Sequence, residues 1–178
     1  MYAWNDRKLP PEVERRVARL LGIFIAASLY LVAVYHLTNL YFARQQDFTS
    51  FILLTGGIYP LLFWGGYVLA GSVVPLLLLF HPRLVSERAT LAAAALTILG
   101  AFAWLFVFII GGQAFPLDIF PGFESSSTFA DGVVEHYAPS LPEFLLGVGG
   151  LGAAFLLTVV GVRVFDFLPQ DDFAAAKP

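Results

Sequence analysis

Four stretches of this chain contain no Asp, Glu, Lys or Arg: Leu20 to Ala43, Phe48 to Phe80, Ala89 to Leu117 and Phe144 to Val162. Each is about 20 residues or longer, the length an α-helix needs to cross a hydrocarbon core roughly 30 Å thick at about 1.5 Å per residue. Helices buried in a large water-soluble protein carry shorter apolar runs, about 10–14 residues. The composition agrees. Charged residues make up 13% of the chain and hydrophobic ones 58%, with a mean hydropathy of +0.78. A typical soluble domain is about 25% charged. In water this chain would expose a very large apolar surface, which excludes a soluble enzyme, a nucleic-acid binder and a disordered tail. The expected fold class is an all-α integral membrane protein, a bundle of four transmembrane helices.

The first run is too long for the core of a signal peptide, about 7–15 residues, and no small-x-small cleavage site follows it. Basic residues in the short flanks set the orientation. Arg7, Lys8, Arg15, Arg16, Arg19, Arg83, Arg88, Arg163 and Lys177 fall on one side, and Arg44 alone on the other. Both termini are therefore expected in the cytoplasm, with the protein multi-pass in the cell's inner (cytoplasmic) membrane. The opposite face carries Asp47, Asp118, Glu124, Asp131 and Glu135. The net charge of −3 conceals this segregation.

The expected organisation is a cytoplasmic arm over residues 1–16, a transmembrane domain over 17–168 and a cytoplasmic tail over 169–178. Within the domain, helices are expected at about 17–41, 53–80, 89–112 and 142–168, with an outer loop over 111–140. Residues 43–47 read as a short polar turn. The second span is longer than a perpendicular crossing requires, and Gly56-Gly57 with Pro60 mark a break, because proline removes a backbone donor and clashes with the preceding turn. Pro75 is expected to bend the same helix again. The outer loop mixes Phe115, Phe120, Phe123 and Phe129 with its acids, which suits either an aromatic belt at headgroup level or a surface that contacts a partner. In the fourth helix, Gly147 to Gly152 forms a small-residue face for close helix packing.

Ionisable groups at membrane depth are candidates for function, and this chain has few. His36, beside Tyr35 and one turn before Asn39, lies toward the outer end of the first helix. That trio can hydrogen-bond a quinone oxygen or pass a proton; equally, His36 can bond a neighbouring helix or sit in the headgroup zone. Gln113 and Tyr59 are expected at the same level. Glu143 stands three residues after Ser140 and fits a capping box, so its carboxylate either caps the fourth helix or takes part in proton transfer. His81 and His136 lie at other levels, which argues against paired haem ligands within this chain. With no cysteine, the chain supplies no thiolate for zinc or an iron–sulfur cluster. No metal site and no catalytic nucleophile are expected.

Three motifs carry a resemblance. Leu62-Phe63-Trp64-Gly65-Gly66-Tyr67-Val68-Leu69-Ala70-Gly71-Ser72-Val73-Val74-Pro75, Ile109-Ile110-Gly111-Gly112-Gln113-Ala114-Phe115-Pro116 and Tyr137-Ala138-Pro139-Ser140-Leu141-Pro142-Glu143 occur in order and span much of residues 51–168. Together they resemble the polysulfide reductase membrane-subunit (NrfD-like) family, specifically its later helical half. The resemblance implies an integral membrane subunit of a respiratory electron-transfer complex that helps form or support a quinone/quinol site and a proton route. It implies partners: an iron–sulfur subunit, a cytochrome or molybdopterin subunit, and another membrane subunit similar to the family's first half. Iron–sulfur, haem or molybdopterin groups would belong to those partners, and this chain would bind none of them. Leu105 stands where many relatives carry an arginine, which leaves a complete proton path through this chain alone unsupported. The chain is thus expected to be at most one subunit of a quinone-linked oxidoreductase, not catalytic alone, surrounded by lipid and without nucleic acid. The alternative is a non-catalytic anchor or assembly subunit of a multi-subunit complex.

Overall fold

The computed structural model describes residues 11–81, 86–116, 133–135 and 137–165. The described structure is helical throughout its ordered elements, and four of its helices are long and apolar enough to cross a membrane. They are α1 (Pro11–Tyr41), α3 (Ile58–Phe80), α4 (Glu87–Ala114) and α5 (Leu141–Val164). A short helix, α2 (Ala43–Ser50), follows α1 where a polar turn was expected. It continues into a wider π-turn over Phe51–Thr55 before the chain breaks at Gly56-Gly57. Gly57 takes φ 66°, a left-handed conformation that glycine adopts without steric cost. The first ten residues, including Arg7 and Lys8, lie outside the described residues, as do Arg83, Asp118, Phe120, Glu124, Phe129, Asp131, His136 and the tail beyond 165.

Two units divide the chain. Among the described residues, those from 11 to 135 form one, built from α1 to α4, and those from 137 to 165, with α5, form the other. In the larger unit α4 packs along α3, and α1 lies against both. Its interior has two clusters. Ala18, Ile25, Leu79 and Ala93 form an aliphatic one near the start of α1. Val32, Phe51, Ile52, Tyr59, Phe63, Tyr67, Val107 and Ala114 form an aromatic one toward its end.

The middle of α3 is a π-helix from Leu62 to Val73, in which each turn takes one more residue than an α-turn. π-Turns are rare and normally occur singly. Here the wide turns lie between Pro60 and Pro75, each of which removes a backbone donor from the ladder. The Ser72 hydroxyl also donates to the Tyr67 carbonyl five residues back, at 3.0 Å. Regular α-geometry resumes at Val74, with Pro75 in its first turn.

That spacing matters for packing. Gly66 and Gly71, five apart, both face α4. A β-carbon on Gly71 would lie 2.5 Å from the Gly100 Cα, and one on Gly66 would lie 2.8 Å from the Ala103 Cβ. Backbone meets backbone at this crossing, as small residues permit between helices in lipid.

In the second unit, α5 opens as its sequence suggests. The Glu143 carboxylate accepts the Ser140 backbone N–H at 2.8 Å, which satisfies one of the donors a helix start leaves open. The helix ends at Val164.

Candidate functional site

Among the buried residues of the described structure His36 is the one side chain, tyrosines aside, that can ionise; it is 9% exposed on the inner face of α1. Its ring meets Phe63 of α3 edge-on at 4.9 Å between centroids, and Tyr35 edge-on at 5.1 Å. Its Nδ1 is buried and has no hydrogen-bond partner among the described residues. A buried polar atom left without a partner costs about 1–3 kcal/mol, so an uncompensated nitrogen here is a feature in want of an explanation.

His36 also lines a cleft. His36, Tyr35, Phe48, Phe63, Trp104 and Phe108 line it, with Ile52 and Val107 completing the wall. The cavity is about 10 Å³, the space of roughly one water centre. Trp104 and Phe108, one turn apart on α4, stack at 5.1 Å and 15°, and Tyr35 lies edge-on to Phe108 at 6.1 Å. Tyr35 and Phe108 are substantially exposed, so one wall of the cleft lies on the apolar outer surface of this unit. A cleft this small takes no more than the edge of a ligand, so a molecule recognised here would lie against its aromatic rim.

A second buried polar atom without a partner lies nearby in sequence. Thr49, on α2 next to the cleft residue Phe48, is fully buried, and its Oγ1 has no hydrogen-bond partner among the described residues. Elsewhere around the aromatic cluster several polar groups are paired. Ser28 on α1 and Tyr67 on α3 share a hydrogen bond of 3.3 Å. Trp64 Nε1 donates to the Leu53 carbonyl at 3.0 Å, bridging the break at Gly56-Gly57.

Of the residues singled out in the sequence, Tyr35 and His36 come together in the cleft. Asn39 is half-buried on α1 but is not part of the lining, and its carbonyl accepts the Phe42 N–H at 3.2 Å. Gln113 is exposed near the end of α4 and is also absent from the lining. Glu143 is engaged at the start of α5, where Tyr137 Oη donates to it at 2.8 Å in addition to the Ser140 N–H. That hydrogen bond, followed by desolvation and the carboxylate's charge, holds the Tyr137 phenol above its ordinary range. Leu105 points outward, 41% exposed. Phe48, Phe63, Trp104 and Phe108 were not singled out as site residues. An aromatic residue in an apolar span carries no sign that separates a cleft wall from a lipid-facing surface. Among the described residues no group of three or more His, Cys, Asp or Glu is placed to hold a metal ion.

Comparison with known proteins gives two matches. Residues 5–117 match the family described as polysulphide reductase, NrfD. That stretch takes in α1, which the three sequence motifs do not reach, and stops before the Tyr137–Glu143 motif. An Hdr-like menaquinol oxidoreductase integral membrane subunit from Archaeoglobus fulgidus is 29% identical over 175 residues, 95% of this chain and 43% of the relative. The chain thus spans less than half the length of that curated relative. No solved structure matches the chain.

Proposed function

The chain belongs to the polysulphide reductase NrfD family, and on that premise we propose that it is an integral membrane subunit of a quinone-linked respiratory complex. In this reading His36 contacts the quinol. The observation that carries it is the buried Nδ1 without a partner among the described residues, on a histidine that lines an aromatic cleft. The similarity to a subunit named for menaquinol oxidation supports the substrate class.

The chemistry follows from the atoms. Oxidation of a quinol to a quinone releases two electrons and two protons. An Nδ1 that carries no proton accepts a hydrogen bond from one quinol hydroxyl and then its proton, while the aromatic walls hold the ring. The second proton leaves from the hydroxyl at the far end of the ring to a base outside this cleft. The electrons pass to redox groups of partner subunits, for which iron–sulfur and cytochrome or molybdopterin subunits are the expected classes. The cavity admits the edge of a headgroup, not the whole ring, so the ring lies across the mouth formed by Tyr35, Trp104 and Phe108. In this reading the basic ends of the helices face the cytoplasm, the side that an excess of Lys and Arg favours.

In the assembled complex, His36→Gln should lower quinol turnover by about 100-fold or more, the range of a lost acid–base group, at unchanged subunit stoichiometry. Wild-type turnover at normal assembly would remove His36 from the site. A second reading, the non-catalytic anchor, is favoured by the small size of the cleft. It predicts that turnover is insensitive to His36 while loss of the chain disperses the complex, and mass spectrometry of the chains retained in mild detergent measures that dispersal.

A further inference from the structure

At the other end of the larger unit, where α1 begins, α3 ends and α4 begins, lies a surface cavity of about 580 Å³. Its floor is apolar: Ala18 and Leu79 are buried there, and Phe80 fits over Gly22, so closely that a β-carbon on Gly22 would strike the ring. Its rim is charged. Arg15 and Arg19, one turn apart on α1, stand on one side with Glu14; Ser86 and Glu87 stand on the other. Ser86 caps α4, its hydroxyl accepting the Ala89 N–H at 3.2 Å, so the positive end of a 28-residue helix opens onto the cavity. Neither arginine forms an ion pair among the described residues.

We propose that this cavity is a binding site for a membrane phospholipid whose headgroup joins its phosphate to a hydrogen-bond donor, an amine or a polyol. Three observations select that occupant. The cavity sits at the ends of three membrane spans, the depth at which headgroups lie. A charged rim over an apolar floor matches the boundary between a headgroup and its acyl chains, and basic pockets between transmembrane helices are suited to phosphate. Two carboxylates beside two guanidiniums also fit a headgroup with both signs of partner: the arginines take the phosphate, and Glu14 and Glu87 take the N–H or O–H groups. A choline headgroup has the phosphate but no such donor. The site is remote from the His36 cleft and does not rest on the quinone reading.

The test uses the full chain in nanodiscs made from equal parts of phosphatidylethanolamine, phosphatidylglycerol and phosphatidylcholine, with retained lipids counted by native mass spectrometry after gentle release. Ethanolamine and glycerol lipids should be retained severalfold over choline lipid. In Arg15→Gln/Arg19→Gln the retention should fall by roughly tenfold or more, since each basic residue near anionic lipid contributes appreciably to binding. Arg15→Lys/Arg19→Lys, which keeps the charges, should hold most of it, and helical circular dichroism establishes that each variant is folded. Glu14→Gln/Glu87→Gln should bring ethanolamine lipid down toward the choline level. Equal retention of the three lipids, or retention indifferent to loss of both arginines, would overturn the proposal. So would displacement of the lipid by millimolar inorganic phosphate, which would make the site one for a free anion.

Discussion

Two buried atoms carry most of what this molecule says at the scale of single residues. His36 Nδ1 and Thr49 Oγ1 are both enclosed without hydrogen-bond partners among the described residues. Each should be a small destabilising element in the resting chain. Thr49→Val keeps the shape and removes the hydroxyl, so it should raise thermal stability in detergent, by about 1 kcal/mol. A loss of stability would instead show that the hydroxyl has a partner in the membrane-embedded protein. His36→Leu should likewise leave the unfolding temperature unchanged or higher while quinol turnover falls, the opposition expected where a strained group serves function. Tyr137, just before α5, gives a pH prediction. Its phenol is held above the ordinary value near 10 because protonated Tyr137 donates to Glu143. With the folded-state value raised, the contact is fully present below the unfolded-state value and is lost as pH rises through the folded one, above 10. Tyrosinate absorbance should therefore show Tyr137, identified by subtraction of Tyr137→Phe, titrating later than free tyrosine, and Glu143→Gln should move it back down. His36, Tyr35 and Glu143 were all legible as residues of interest because a polar group in an apolar run stands out. Which of them faces a cleft was not, since that depends on where α3 and α4 place Phe63 and Trp104.

Between elements, the crossing of α3 and α4 is the tightest feature. Gly71 meets Gly100 with no room for a methyl group on either, and the opposing atoms are backbone, which cannot swing aside. Gly71→Ala or Gly100→Ala should therefore destabilise the unit by about 1–3 kcal/mol, the cost of overpacking a close contact. Gly112→Ala, whose β-carbon would enter open space on the same helix as Gly100, should be neutral or stabilising by up to about 1 kcal/mol. Thermal unfolding of the three variants in one detergent decides it, and equal behaviour would mean the helices are not held this close. The four spans could be read from uncharged runs because lipid demands that every backbone group be satisfied within the helix. The break at Gly56-Gly57 was readable from its glycines. The π-helix was not. Two prolines fifteen residues apart mark where an α-ladder loses donors, but they do not say that the turns between them widen. Without that widening, the five-residue spacing of Gly66 and Gly71 carries no recognisable packing period, whereas the denser glycine run of α5 does stand out as a packing face.

For the whole molecule, the same apolar surface that would be a liability in water is what the bilayer covers. Side chains such as Phe24, Leu31, Leu99, Phe102 and Ile109 are exposed along α1 and α4, and in lipid their exposure has no cost of the kind water imposes. Orientation is then the main unfixed property, because apolar faces do not distinguish one side of a membrane from the other. Charge does. With nine basic residues against one, the ends near Arg15, Arg19 and Arg88 should lie in the cytoplasm and α2, with Arg44, outside. The chain is well suited to a direct measurement, since it contains no cysteine and single-cysteine variants have no background. Glu12, Gln45 and Glu135 are all exposed, and replacing none of them alters the count of basic residues. In intact cells or right-side-out vesicles, a membrane-impermeant maleimide should label Gln45→Cys and Glu135→Cys, and should label Glu12→Cys only after permeabilisation. Labelling of Glu12→Cys alone from the outside would invert the protein, and would place the His36 cleft near the inner surface, so that a quinol held there would release its protons to the cytoplasm instead of the exterior.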